Sequence, residues 1–140
     1  MVSRRPIFNY PYERTRLALY TAARSTAPDD HWGHTLRFAN PLNGEWATPS
    51  IANWMTYLPP DFAVAPMRST DALIICVAEG SGTVDTGFDR FAFGPRDIFV
   101  IPNWTRRRFA AGSDGCVLFA ASDRAAQEKL GLWREEWLKG

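Results

Sequence analysis

Two stretches decide the architecture: LIICVAEGSGTVDTG, residues 73–87, and FGPRDIFVIPNWTRRRF, residues 93–109. The run LIICVA is wholly apolar, which predicts a strand buried on both faces. In EGSG, Gly80 and Gly82 suit a tight reversal between two strands. Asp97 is placed to hydrogen-bond the turn that enters DIFVIP. Pro102 can close that strand because no ladder donor is needed there.

Working outward, TVDTGF, RFAFG, DIFVIP, RRRFAAG and CVLFAA read as short strands, each ended by Gly, Pro or Asp. Upstream, residues 35–46 (TLRFANPLNGEW) read as strand, turn and strand, and residues 51–58 (IANWMTYL) as a strand ended by Pro59-Pro60. Strands at intervals of about 8–12 residues with glycine turns predict an all-β sandwich or barrel over residues 35–122. Residues 1–34 form an arm in which Pro6 and Pro11 punctuate an aromatic stretch of Phe8, Tyr10 and Tyr12. A short helix is expected from Glu13 to Ala23, with Leu17, Leu19 and Tyr20 on its apolar face, and Pro28 closes the segment. So aromatic an arm should lie against a surface, its own or a partner's. From Asp123 to Leu138 the apolar period changes. Ala126, Leu130, Trp133 and Trp137 predict an amphipathic C-terminal helix over residues 123–140, with Ser122 as its N-cap.

The chain has 140 residues, enough for one domain with its own core. Apolar residues make up 46% and charged residues 22%, the balance of a globular protein. A net charge of +1 argues against nucleic acid as a partner. No run approaches the ~18 apolar residues of a membrane span. The opening MVSRRPIFNYPY lacks the apolar core of a secretory signal. Cys76 and Cys116 lie inside apolar runs, where free buried thiols are expected. Together these features predict a cytoplasmic protein.

The six tryptophans suit core filling or subunit contact. Ser122-Asp123-Arg124 has no neighbouring histidine to activate the serine, so it reads as a helix start and not as a nucleophile.

An apolar strand into E-G-x-G, then G-x-x-D, an apolar strand and a proline, is similar to the paired motifs of the cupin superfamily. The resemblance implies a single cupin barrel, a double-stranded β-helix or jelly roll. In metal-binding cupins the first motif carries H-x-H and a Glu, and the second a further His beyond the proline. Such ligands, with open positions, suit Fe(II). Counted back from Gly80, the Glu position is Leu73. The H-x-H positions are Met67 and Ser69, or Pro66 and Arg68 with a longer spacer. Counted on from Pro102, the last position is Arg107. None is a ligand type, and a guanidinium stays protonated. No metal is therefore expected at that site.

Other residues admit a sharper reading. His31 and His34, in DDHWGH behind Asp29 and Asp30, form a weak alternative metal pair; the plainer reading is a solvated or interface loop. In the run Arg106-Arg107-Arg108, alternation along a strand points Arg107 opposite to its neighbours. An inward Arg107, with Arg68 and Trp104, would bind a small carboxylate. The plainer reading is a barrel sealed by internal ion pairs to Asp71 or Asp97.

The whole chain also resembles the gentisate 1,2-dioxygenase family, in its C-terminal cupin half. The matching stretches are FNYPYERTRLAL, LRFANPLNG, APMRSTDALIICVAEGSG, FGPRDIFVIPNW and SDRAAQEKLGLWREE. These dioxygenases are two-cupin oxidoreductases of aromatic compound catabolism. The resemblance implies that Fe(II) and ring cleavage belong to the N-terminal cupin, while the C-terminal one is metal-poor and supports assembly. No catalytic residue carries over to this chain, and no cofactor is expected in it. The isolated chain should be inactive, and the iron-bearing half either encoded separately or lost by truncation. A homodimer, or assembly with an iron-bearing cupin half, is the expected state. The alternative is a stand-alone metal-free cupin that binds a small carboxylate, aromatic ones included, as a sensor or carrier.

Overall fold

The computed structural model describes residues 9–139. Pro6 and Phe8 of the expected arm lie outside them. Helix α1 (Tyr12–Ser25) precedes strands β1 (His34–Arg37), β2 (Ala52–Leu58), β3 (Met67–Ser69), β4 (Leu73–Asp85), β5 (Arg90–Phe93), β6 (Ile98–Ile101) and β7 (Arg108–Ser122). Helix α2 (Arg124–Lys129) and strand β8 (Glu135–Trp137) follow. The strands pair antiparallel, as expected of an all-β cupin barrel.

Two long strands organise the barrel. The first half of β4 pairs with β6, and its second half with β5. Strand β7 runs beside β4 for the length of both. On its other edge, the second half of β7 pairs with β2, which in turn pairs with β1. The first half of β7 is bordered there by residues 61–67, through Val64 N–H to Phe109 O at 3.0 Å and Ala111 N–H to Phe62 O at 2.8 Å. One pair of strands thus serves two layers. Leu58, Leu73, Ile75, Val77, Val84, Phe93, Ile101 and Leu118 fill the space between them. Each such side chain contributes roughly 1.5–3 kcal/mol by burial.

The glycines of EGSG do not reverse the chain. Glu79, Gly80, Ser81 and Gly82 lie inside the single strand β4, where its register against β7 slips between Val77 and Glu79 and between Gly80 and Gly82. Gly80 has φ +78°, and a Cβ there would collide with the Gly115 carbonyl oxygen. The glycine is needed for close approach of two backbones. The reversal comes later, where Thr86 N–H bonds Asp89 O at 2.9 Å and Asp85 accepts from Gly87 N–H. Likewise RFAAG, from Arg108 on, and CVLFAA are parts of the one strand β7.

Strand LIICVA is buried on one face only. Leu73, Ile75 and Val77 point inward, whereas Ile74 is 51% exposed beside Val100 (57%) and Ile98 (68%) of β6. Asp97 does brace its turn, accepting from Gly94 N–H at 2.8 Å, and β6 ends before Pro102.

Helix α1 covers the outside of β1 and β2. Leu19 is fully buried among Met55, Tyr57 and Val117. Glu79 of β4 holds it there, accepting from Tyr12 Oη and from Arg16 Nε at 2.7 Å. The arm's described part therefore lies on the chain's own surface. The C-terminal helix is much shorter than its apolar spacing predicts. It stops at Lys129, Gly131 takes φ +70°, and Glu135–Trp137 becomes a strand against β3. Leu130, read as part of the apolar face, is 72% exposed. Both cysteines are free, Cys116 buried and Cys76 half-buried; burial pushes the Cys116 thiol up to about 12.

Candidate functional site

The positions counted from the two motifs do converge. Met67 and Arg107 pair as an isolated antiparallel bridge. Met67, Leu73 and Arg107 line one cavity in the barrel, together with Trp32, Trp54 and Phe109. Ser69 sits beside it, its Oγ accepting from Arg107 Nη1 at 3.0 Å. Alternation along β3 puts Met67 and Ser69 in the interior and Arg68 outside. This selects the 67/69 spacing over 66/68.

Arg107 is 3% exposed. Burial lowers its pKa to about 10, opposed by the charges of Asp71 and Glu135. It remains a cation at neutral pH. Among the described residues no carboxylate oxygen lies within 4.0 Å of its nitrogens. Asp71 is itself buried, and its oxygens are taken: Oδ2 by the Ser122 hydroxyl and Oδ1 by Trp133 Nε1 at 3.2 Å. Burial raises the Glu135 carboxyl, with Arg124, Arg107 and His31 pulling the other way. Asp97 is occupied at its own turn. The interior ion pair expected for Arg107 is thus a longer-range attraction and not a contact.

Arg68 and Trp104 do not join Arg107. The Arg68 guanidinium lies over the Trp104 ring at 4.5 Å and bonds Glu136 of β8 at 2.7 Å. Trp104 holds φ +53° and is 40% exposed. Its N–H donates to Ser69 O at 2.7 Å, so the β3 backbone separates this outer cluster from the interior. His31 and His34 also part company. His31 lines the cavity and packs against Trp137, tilted, with ring centroids 4.0 Å apart. His34 stacks on Tyr57 at 6.0 Å and borders a hollow shared with Leu19 of α1.

The cavity measures about 40 Å³. One water in the liquid occupies ≈ 30 Å³, and a benzene-binding cavity measures about 150 Å³. The space is thus smaller than one that takes an aromatic ring.

The donor set does not suit the divalent cation that a cupin barrel implies. A thioether, an alkyl group and a guanidinium offer Fe(II) no hard ligand, and the Ser69 hydroxyl already accepts from a cation. A second positive charge beside a buried arginine is also repelled. Among the described residues no group of three or more His, Cys, Asp or Glu is placed to hold a metal.

The residues that motif counting did not single out are Trp133 and Arg124. Arg124 packs over the Trp133 ring at 3.9 Å, near Trp32 and Trp46. The apolar spacing reads Trp133 as part of a helix face, and Ser122-Asp123-Arg124 reads Arg124 as part of a helix start.

No family model matches the chain. It is 44% identical over 130 residues to gentisate 1,2-dioxygenase 1 of Aquipseudomonas alcaligenes, covering 93% of this chain and 37% of that one. Its fold is similar to that of salicylate 1,2-dioxygenase from Pseudaminobacter salicylatoxidans, with a TM-score of 0.83 and 23% identity, covering 91% of this chain and 38% of that one. A cupin-like protein from Thermotoga maritima superposes with a TM-score of 0.61 at 17% identity, covering 76% of this chain and 75% of that one. The chain spans little more than a third of the length of the dioxygenases it matches. Its barrel and the extent of the sequence match together place it in the gentisate 1,2-dioxygenase family of cupins.

Proposed function

We propose that this chain is a non-catalytic cupin unit of a gentisate 1,2-dioxygenase-type ring-cleaving enzyme. It corresponds to the C-terminal half, works in the cytoplasm, and contributes to assembly and not to iron chemistry. The observation that carries this reading is the cavity itself, lined by Met67, Leu73 and Arg107, the positions that counting from the motifs assigns to metal ligands. An assembly role is supported by the outer face of β4 and β6. Ile74, Ile98 and Val100 are each more than half exposed there and adjacent in register. Contiguous apolar surface of this kind suits a protein interface. The occupant is a second copy or an iron-bearing cupin half.

The test combines metal analysis with gentisate turnover on the purified chain after incubation with Fe(II). Substoichiometric iron and no turnover are expected. Stoichiometric iron with turnover would overturn the reading. Sedimentation should show a dimer, or a complex once an iron-bearing cupin half is supplied; a monomer in both cases would remove the assembly role.

A second reading, a barrel that binds a small carboxylate, is favoured by the buried cation of Arg107, which no carboxylate contacts among the described residues. The cavity volume favours such a ligand without a ring.

A further inference from the structure

We infer that the barrel interior is a binding site for one small monovalent inorganic anion, of chloride or nitrate size, held by Arg107, whose guanidinium Ser69 anchors. This goes beyond the assembly role and gives the second reading a ligand class.

Three observations converge on it. The Arg107 side chain has five N–H donors, and among the described residues it donates only to Ser69 Oγ. Ser69 is 1% exposed, and its hydroxyl accepts that bond while donating to no described residue. The remaining guanidinium protons thus have no acceptor among the described residues, on a side chain that is 3% exposed. A buried charge in that condition is costly unless a counter-charge reaches it. The carboxylates that face it cannot move in cheaply. Asp71 is committed to Ser122 and Trp133, and Glu135 lies in β8, paired with β3.

The third observation is the space. About 40 Å³ adjoins the guanidinium, walled by Trp32, Trp54, Met67, Leu73 and Phe109. It has room for one small ion and is smaller than a cavity that takes a benzene ring. Its walls are mostly apolar, with His31 and Thr56 the polar side chains beside Arg107, which suits a weakly hydrated anion. A dianion is disfavoured, since a single guanidinium neutralises one charge.

The experiment is thermal unfolding of the full chain at constant ionic strength, replacing sodium gluconate stepwise by sodium chloride, nitrate, benzoate or gentisate. Chloride and nitrate should raise Tm along a saturating curve, while gluconate, benzoate and gentisate leave it unmoved. Arg107→Met should abolish the saturating rise, and Ser69→Ala should weaken the apparent affinity about tenfold, the loss of one charge-assisted hydrogen bond. Equal Tm values in chloride and gluconate would overturn the inference. A rise with benzoate or gentisate alone would also overturn it, while favouring the aromatic carboxylate. Should Arg107→Met fail to fold, crystals of the unaltered chain grown in sodium bromide decide the matter. An anomalous peak within hydrogen-bonding reach of Arg107 supports the site, and its absence at saturating bromide excludes it.

Discussion

Met67 and Arg107 hold each other through both main-chain hydrogen bonds, Met67 N–H to Arg107 O at 3.1 Å and Arg107 N–H to Met67 O at 2.8 Å. Counting from the two motifs assigns both positions to metal ligands, and neither is a histidine or a carboxylate. The pairing explains how Arg107 comes to be buried. Its backbone is fixed against β3, so its side chain is carried inward to Ser69 and cannot swing to the surface.

The cost of that burial leads to the first expectation. Replacing Arg107 by Met, of similar length and uncharged, should leave stability in sodium gluconate within about 1 kcal/mol of the parent or raise it, because no contact ion pair is broken. Arg107→Ala should instead lose about 2 kcal/mol or more, since the packed stem leaves a void. Urea unfolding of the two variants measures the contrast. Equal, large losses in both would mean that the charge itself holds the barrel together.

Asp71 should be far less tolerant. It accepts from the Ser122 hydroxyl and from Trp133 Nε1, and its charge offsets Arg107. Asp71→Ala leaves these donors and a buried cation without their acceptor. A loss of roughly 3–5 kcal/mol is expected, read by urea unfolding together with the Trp133 fluorescence.

Helix α1 should loosen in acid. Burial alone would raise the Glu79 carboxyl, but hydrogen bonds from Tyr12 and Arg16 bring it below its ordinary value of 4.5. A carboxylate depressed in the folded state stabilises above its unfolded pKa and loses that contribution as pH falls through the folded one. The Tm difference between the parent and Glu79→Gln should therefore be full above about pH 5 and shrink below 4.5. Tyr12→Phe should cost about 1 kcal/mol at neutral pH. A difference that persists unchanged at acid pH would assign the effect to packing.

Glycine substitutions should separate close approach from turn geometry. Gly80 and Gly44 both have positive φ, but a Cβ at Gly80 meets the Gly115 backbone while one at Gly44 meets nothing within 4 Å. Gly44→Ala should cost about 1 kcal/mol, the expense of a left-handed alanine. Gly80→Ala should prevent recovery of folded protein, since β4 and β7 must part. Circular dichroism and soluble yield report both.

The apolar sheet face can be tested without touching the core. Ile98→Asp with Val100→Asp should abolish self-association in sedimentation while changing stability by no more than ~0.5 kcal/mol for each exposed position. Unchanged association would place the interface elsewhere.

Much of the architecture was legible in the order of residues. Apolar runs closed by Gly, Pro and Asp identified an all-β barrel, and Asp97 and Pro102 act as their types dictate. Counting from Gly80 and Pro102 located Met67, Leu73 and Arg107, which line one cavity. Such short-range chemistry depends on neighbours along the chain, so a sequence displays it. Where glycine serves close approach, the sequence misleads: Gly80 looks like a turn because the backbone it admits, at Gly115, lies on another strand. Trp133 reads as a helix face for the same reason, since its partner Asp71 is far away in sequence. Which face of LIICVA meets solvent, that Arg68 and Trp104 stack outside while Arg107 enters alone, and that the cavity holds an ion's volume and not a ring's, depend on strand register and packing. Those are set by contacts between distant segments, and only the tertiary structure decides them.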